Sequence, residues 1–142
     1  MLDDELRTSI KYAASRGVDI SIILPGVPDK RLAYALAKSH YKDLVKSGVH
    51  IYEYTPGFVH TKNFVSDDEK AIVGTINLDY RSLYHHFENG AVFIDSPIVD
   101  AAKKDFEETL KDCTLMKKED YKKLPLHLRI LGRLFRIFAP LF

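Results

Sequence analysis

Cysteine is nearly absent: Cys113 stands alone among 142 residues. That excludes an internal disulfide framework and a cysteine-based zinc site, and it fits a reducing compartment. Long apolar runs are missing as well, since no uninterrupted stretch approaches the ~18 residues that a membrane span needs. The opening Met1-Leu2-Asp3-Asp4-Glu5 is acidic where a secretory signal is basic and then apolar. Neither an internal repeat nor a low-complexity segment occurs. Net charge is almost lacking too, at +1 from 21 basic and 20 acidic side chains, which argues against a general nucleic-acid binder. What is there suits one globular domain. Hydrophobic and charged fractions of 46% and 29% are ordinary, and a chain of this length buries ~two thirds of its unfolded surface.

The charge is unevenly spread. Residues 1–100 carry 11 basic and 14 acidic side chains, whereas residues 101–142 carry 10 and 6. From Tyr121 to Phe142 there are five lysines or arginines and no acid. Domain organisation follows: residues 1–123 read as the folded unit and residues 124–142 as a basic, apolar tail.

Along the chain, Asp3 or Asp4 caps a first helix with Leu6, Ile10, Ala13 and Ala14 at helical spacing, and Gly17 stops it. Val18 to Leu24 reads as a buried strand, and Pro25 to Asp29 as a turn. A helix from about Lys30 to Ser47 turns Leu32, Leu36, Leu44 and Val45 inward, and a strand from Val49 to Tyr54 follows. This alternation is that of an α/β domain. Beyond Gly57, Phe58 to Val65 and Lys70 to Val73 read as strands joined by the turn Ser66 to Glu69, and Asn89 to Asp95 as another. Ser96-Pro97 opens a helix with Val99, Ala102, Phe106, Leu110 and Cys113 on its inner face. Lys117 to Lys123 is a charged connector.

The chemistry concentrates at His60-Thr61-Lys62. Inside a strand the side-chain period of two puts His60 and Lys62 on one face, ~6.6 Å apart. At that separation an imidazole can attack phosphorus while an ammonium holds the non-bridging oxygens. Asp67 follows five residues after Lys62, and Gly74-Thr75-Ile76-Asn77 adds a hydroxyl and a carboxamide beside a backbone that glycine leaves open. Each position also has a plainer use. Lys62 suits a solvated strand, Asp67 a polar turn or a salt bridge, and Thr75 and Asn77 a turn cap. Adjacent His85 and His86 point in different directions, so no zinc site is expected there. His40 and His50 have no partner legible in the sequence.

His60, Lys62 and Asp67 have the H-x-K-x-x-x-x-D spacing of the phospholipase D superfamily, and Gly74, Thr75 and Asn77 stand at its G-S-x-N position with Thr for Ser. Leu24-Pro25-Gly26-Val27-Pro28-Asp29, Ile51 to Phe58 and Asn77-Leu78-Asp79-Tyr80-Arg81-Ser82-Leu83 resemble the C-terminal half of bacterial cardiolipin synthase. The resemblance runs over nearly the whole chain from Asp3. It implies an α/β, phospholipase D-like half-domain: a mixed β-sheet flanked by helices, with a C-terminal amphipathic basic helix. It implies catalytic His60, Lys62 and Asp67, phosphate-binding Thr75 and Asn77, and Glu88 fixing the tautomer of His60. No metal or other cofactor is implied.

The implied reaction is phosphatidyl transfer through a phosphohistidine, making cardiolipin from two phosphatidylglycerol molecules at the cytoplasmic side of the cell membrane. Superfamily sites pair two motifs, and this chain carries one. It also lacks the strand that precedes the helix near Asp3. It therefore reads as half of an active site, inactive alone and prone to self-association, whose partners are anionic phospholipid, the membrane surface and an N-terminal half with the other motif. Two alternatives stand beside this: a single-motif phosphodiesterase or nuclease acting as a homodimer, and an inactive membrane-associating fragment. The acidic first hundred residues argue against nucleic acid as a partner.

From Leu126 to Phe142, at ~100° per residue, Arg129, Arg133 and Arg136 share an arc of about 60° while leucines, isoleucines and phenylalanines fill most of the rest. Such a helix either docks on the domain's own core or lies in the membrane interface with its arginines among anionic headgroups, and the second reading is preferred.

Overall fold

The computed structural model describes residues 2–27, 31–120 and 130, with backbone alone at 31–33. The expected tail helix, with Arg129, Arg133 and Arg136, lies outside the described residues, apart from Ile130.

Helix α1, Asp4–Ser15, starts where Asp3 in extended conformation accepts from the Leu6 amide at 2.7 Å. Asp4 and Glu5 in its first turn complement the helix dipole, and Gly17 at φ +94° releases the chain. Strand β1, Ser21–Pro25, is followed by α2, Arg31–Lys46, and then β2, His50–Tyr54. A helical crossover lets β1 and β2 pair in parallel, from Ser21 opposite His50 to Pro25 opposite Tyr54. The apolar seam of α2 meets this pair: Tyr41, Leu44, Val49 and Ile51 are buried together, and Ile10, Ala14, Ile22 and Val45 pack around them.

The second half is built from hairpins. Strands β3, Lys62–Ser66, and β4, Lys70–Gly74, pair antiparallel, and β5, Gly90–Ile94, pairs with β4. Asp67 and Asp68 both adopt positive φ, 56° and 58°, in the turn between β3 and β4. Two left-handed residues match the twist of a tight hairpin, and short carboxylate side chains tolerate that backbone. Helix α3, Tyr80–Tyr84, lies between β4 and β5. Helix α4, Pro97–Leu110, begins at the Ser96 cap and its N1 proline. It buries Val99 and Ala102 against Ala71, with Val65 and Phe93 beside them.

The α/β class with flanking helices is as expected, but the strands among the described residues form two sheets of three rather than one. The first, ordered β1-β2-β6, is mixed; the second, β3-β4-β5, is wholly antiparallel. Strand β6, Cys113–Leu115, was not expected. Cys113 belongs to it and not to the inner face of α4, because the helix ends at Leu110 and the chain turns to pair with Tyr54. Helix α3 was unexpected too, being too short to show a periodicity. Among the described residues, no helix is long and apolar enough to cross a membrane.

Candidate active site

Register decides what meets. Lys62 lies opposite Gly74, and Gly74 lies opposite Gly90, so these three residues form one row at one end of the antiparallel sheet. The segments leaving that row carry His60, then Thr75 and Asn77, then Glu88. Five candidate residues from distant parts of the sequence therefore emerge at a single edge. Asp67 does not join them. It sits in the turn beyond Ser66, at the far end of a five-residue strand, where its carboxylate accepts from the Ser66 hydroxyl at 2.9 Å. Four strand steps place that turn ~13 Å from Lys62.

Gly74 is required by close approach. A Cβ there would stand 2.2 Å from the Asn89 carbonyl oxygen and 2.6 Å from the Gly90 Cα. The tight crossing allows the Thr75 amide to bond Asn89 O at 2.8 Å, while the Asn89 amide donates to the Thr75 hydroxyl oxygen at 3.0 Å. Thr75 is thereby locked against the residue that follows Glu88.

Glu88 is the hub of the edge. Thr75 donates to its Oε2 and Ser82 to its Oε1 at 2.7 Å, and His86 Nδ1 stands 3.5 Å from Oε1. The Thr75 hydroxyl, then the Ser82 hydroxyl, then His86 hold the carboxyl below its ordinary titration range. Arg81 Nε donates to His86 Nε2 at 2.9 Å, which assigns the ring proton to Nδ1, on the Glu88 side.

These bonds lie beside two of the expected roles. None of the three groups on Glu88 is His60, whose ring stacks instead on Phe58 with centroids 5.6 Å apart. The Thr75 hydroxyl donates to Glu88. The cause lies in the strand end: β3 starts at Lys62, because β4 stops opposite it at Gly74. His60 is in the irregular lead-in, so strand alternation does not set its side. Lys62 donates to the His60 carbonyl oxygen. Burial lowers the titration of its ammonium, with the negative charges of Glu88 and Asp79 opposing that effect. Asn77 is exposed on the segment between β4 and α3.

His60 lines an open cavity of ≈ 380 Å³ with Tyr54 and Phe58, and with Asp105, Glu108 and Asp112 from the end of α4 and just beyond. Sequence reasoning missed that acidic wall, since only the packing of α4 brings it to His60. It also missed Ser82 and His86, although the spacing Ser82-x-x-x-His86-x-Glu88 was there to be read.

A family model for the PLD-like domain of cardiolipin synthase matches residues 1–110. The chain belongs to that family. Cardiolipin synthase 2 of Bacillus cereus is 34% identical over 139 residues, covering 98% of this chain and 27% of the relative. An uncharacterized protein of Streptococcus mutans is 47% identical over 141 residues, 99% of this chain and 31% of its own length. The chain thus spans less than a third of the length of these relatives. Two solved structures share the fold. Phosphatidylserine synthase of Haemophilus influenzae matches with a TM-score of 0.73 at 17% identity, over 98% of this chain and 38% of that one. Nuc of Salmonella typhimurium, a phospholipase D family member, matches with 0.70 at 16% identity, over 82% of this chain and 76% of its own.

Proposed function

We propose that this chain supplies one half of a phosphatidyltransferase site that makes cardiolipin from two phosphatidylglycerol molecules. The observation that supports the reading is the row Lys62–Gly74–Gly90, at whose end the segments carrying His60, Asn77 and Glu88 join the sheet, within a family of cardiolipin synthases. His60 attacks the phosphodiester of one phosphatidylglycerol and glycerol leaves, protonated by a histidine of the other half, or the two histidines exchange these roles. The headgroup hydroxyl of a second phosphatidylglycerol, losing its proton to the acid/base histidine, then displaces the histidine from phosphorus. Transfer through a phosphohistidine splits one displacement into two and lets an alcohol compete with water. Lys62 and Asn77 neutralise the oxygens on which charge builds. Thr75 serves by holding Glu88, and Glu88 keeps negative charge near Lys62. Asp67 is assigned to the hairpin turn. The reaction lies at the cytoplasmic face of the cell membrane, and the basic tail is assigned to the lipid surface.

The test is phosphatidyl transfer by this chain assembled with the other half-site that the reading requires. His60→Ala should abolish cardiolipin formation and the acid-labile phosphohistidine, with the fold preserved in His60→Asn. Normal turnover in either variant would sink the assignment. A second reading, a one-motif phosphodiesterase pairing with its own copy, draws on the 76% of Nuc that the chain covers. Hydrolysis of bis-p-nitrophenyl phosphate by the isolated chain would favour it; the half-site reading expects none.

A further inference from the structure

Helical serines usually satisfy themselves locally, turning the hydroxyl onto a carbonyl one turn back. Ser9 does so to Glu5 O, Ser15 to Lys11 O and Ser39 to Leu36 O. Ser82 on α3 does not. Its side chain is 5% exposed and its hydroxyl donates at 2.7 Å to Glu88 Oε1, six residues on. The helix that carries it is only five residues long, so its position is imposed from outside. Asp79 caps it by accepting from the Ser82 amide at 2.9 Å. The N-terminus of α1 clamps it: the Asp3 amide donates to Leu78 O at 2.9 Å, the Asp4 amide to the Tyr80 hydroxyl at 3.2 Å, and Tyr84 to Asp3 Oδ2 at 2.8 Å.

We infer that Ser82 is a positioning residue of the site: its buried hydroxyl fixes one oxygen of Glu88 and leaves the other to Thr75, so that the carboxylate stays ionised and oriented at the edge. The inference rests on the phosphoryl-transfer reading only for its purpose, since the contact is independent of any reaction. The groups facing Glu88 are Thr75 from the end of β4, Ser82 from α3, His86 from the loop after it and Lys62 from β3, with Asp79 acting on Lys62. Two hydroxyl donors on one carboxylate favour its charged form. The low titration of Glu88 is a consequence of that geometry.

The experiment is a pH titration of the Glu88 side-chain carboxyl by carbon NMR in the 142-residue chain. In the unaltered chain Glu88 should titrate below the ordinary glutamate value of ~4.3. Ser82→Ala removes one oxygen atom and should raise it by about one pH unit, and Ser82→Thr, which restores the hydroxyl, should bring it back. An unchanged Glu88 titration in a folded Ser82→Ala chain overturns the proposal, as does a folded Ser82→Thr that fails to restore it. If neither variant folds, the unaltered chain decides: a Glu88 titrating at its ordinary value overturns the inference. A purely structural serine would change melting without moving Glu88. Because no turnover is measured, failure of the transfer reading leaves this result standing, and the reverse also holds.

Discussion

The phenol of Tyr84 donates to Oδ2 of Asp3 at 2.8 Å, across 81 positions of sequence. Asp3 is 1% exposed and also caps α1 through its other oxygen. One carboxylate thus starts the first helix and holds α3, which presents Ser82 to Glu88. Asp3→Ala should cost about 1–3 kcal/mol in urea denaturation, combining a lost cap with an orphaned partner. Asp4→Ala, at an exposed position, should cost less.

The same bond has an alkaline signature. Hydrogen bonding to Asp3, ahead of desolvation, pushes the Tyr84 phenol from 10.0 up to about 12. The neutral phenol is the bonded form, so its contribution is fully present below pH ~10 and is lost as pH rises through about 12. Asp3→Asn should return the Tyr84 ring titration, followed by NMR, toward its ordinary value. A value unchanged by that substitution would assign the shift to another cause.

Lys38 and Glu53 form a buried ion pair at 3.0 Å, with Tyr41 donating to the same carboxylate at 3.0 Å and the Lys38 ammonium 4.6 Å from the Tyr34 ring centroid. Burial alone lowers the titration of Lys38, but bonds to Tyr34 and Glu53 outweigh it and leave a net rise. The stabilisation is therefore present below the ordinary lysine value and fades as pH climbs through the raised one. Lys38→Met should cost about 3–5 kcal/mol by leaving Glu53 buried and unpaired, and Lys38→Met with Glu53→Leu should recover much of the loss. Equal losses in the single and double variants would contradict this.

Gly74→Ala places a methyl carbon 2.2 Å from Asn89 O. Backbone cannot yield there without parting β4 from β5, so about 1–3 kcal/mol of stability should go. The Thr75 amide should then exchange with deuterium markedly faster. Slow exchange at Thr75 in that variant would show the strands able to slide.

At the edge itself, Lys62→Arg should lower the proposed transfer by the assembled site at least about 100-fold despite its charge, because a planar fork does not replace a compact ammonium. Thr75→Ser keeps the donor to Glu88 and should remain active, whereas Thr75→Val should not. Near-normal rates in Lys62→Arg would make that lysine peripheral.

Much of this was legible in the sequence because it is local. Capping by Asp3 and Ser96, the stop at Gly17 and the apolar spacing of α2 each depend on a few neighbouring residues. Lys62, Thr75 and Glu88 could be assembled because a motif spans them. What stayed hidden is set by packing and register. His60, expected inside a strand from Phe58 to Val65, lies two residues ahead of β3 because the partner strand stops at Gly74. The Lys38–Glu53 pair joins a helix to a strand, and no periodicity announces it. Asp67 kept its motif position, yet strand length carries it away from the row it was grouped with.

Helix α4 packs on strands of both sheets. Its first turns bury Val99 and Ala102 under the antiparallel sheet, while Asp105, Glu108 and Thr109 farther along it wall the cavity beside His60. One helix thus joins a core contact to the cavity wall, so a methyl group added or removed at Val99 should shift the wall beside the imidazole. The shape of the cavity beside His60 is thereby open to adjustment from buried positions that do not line it.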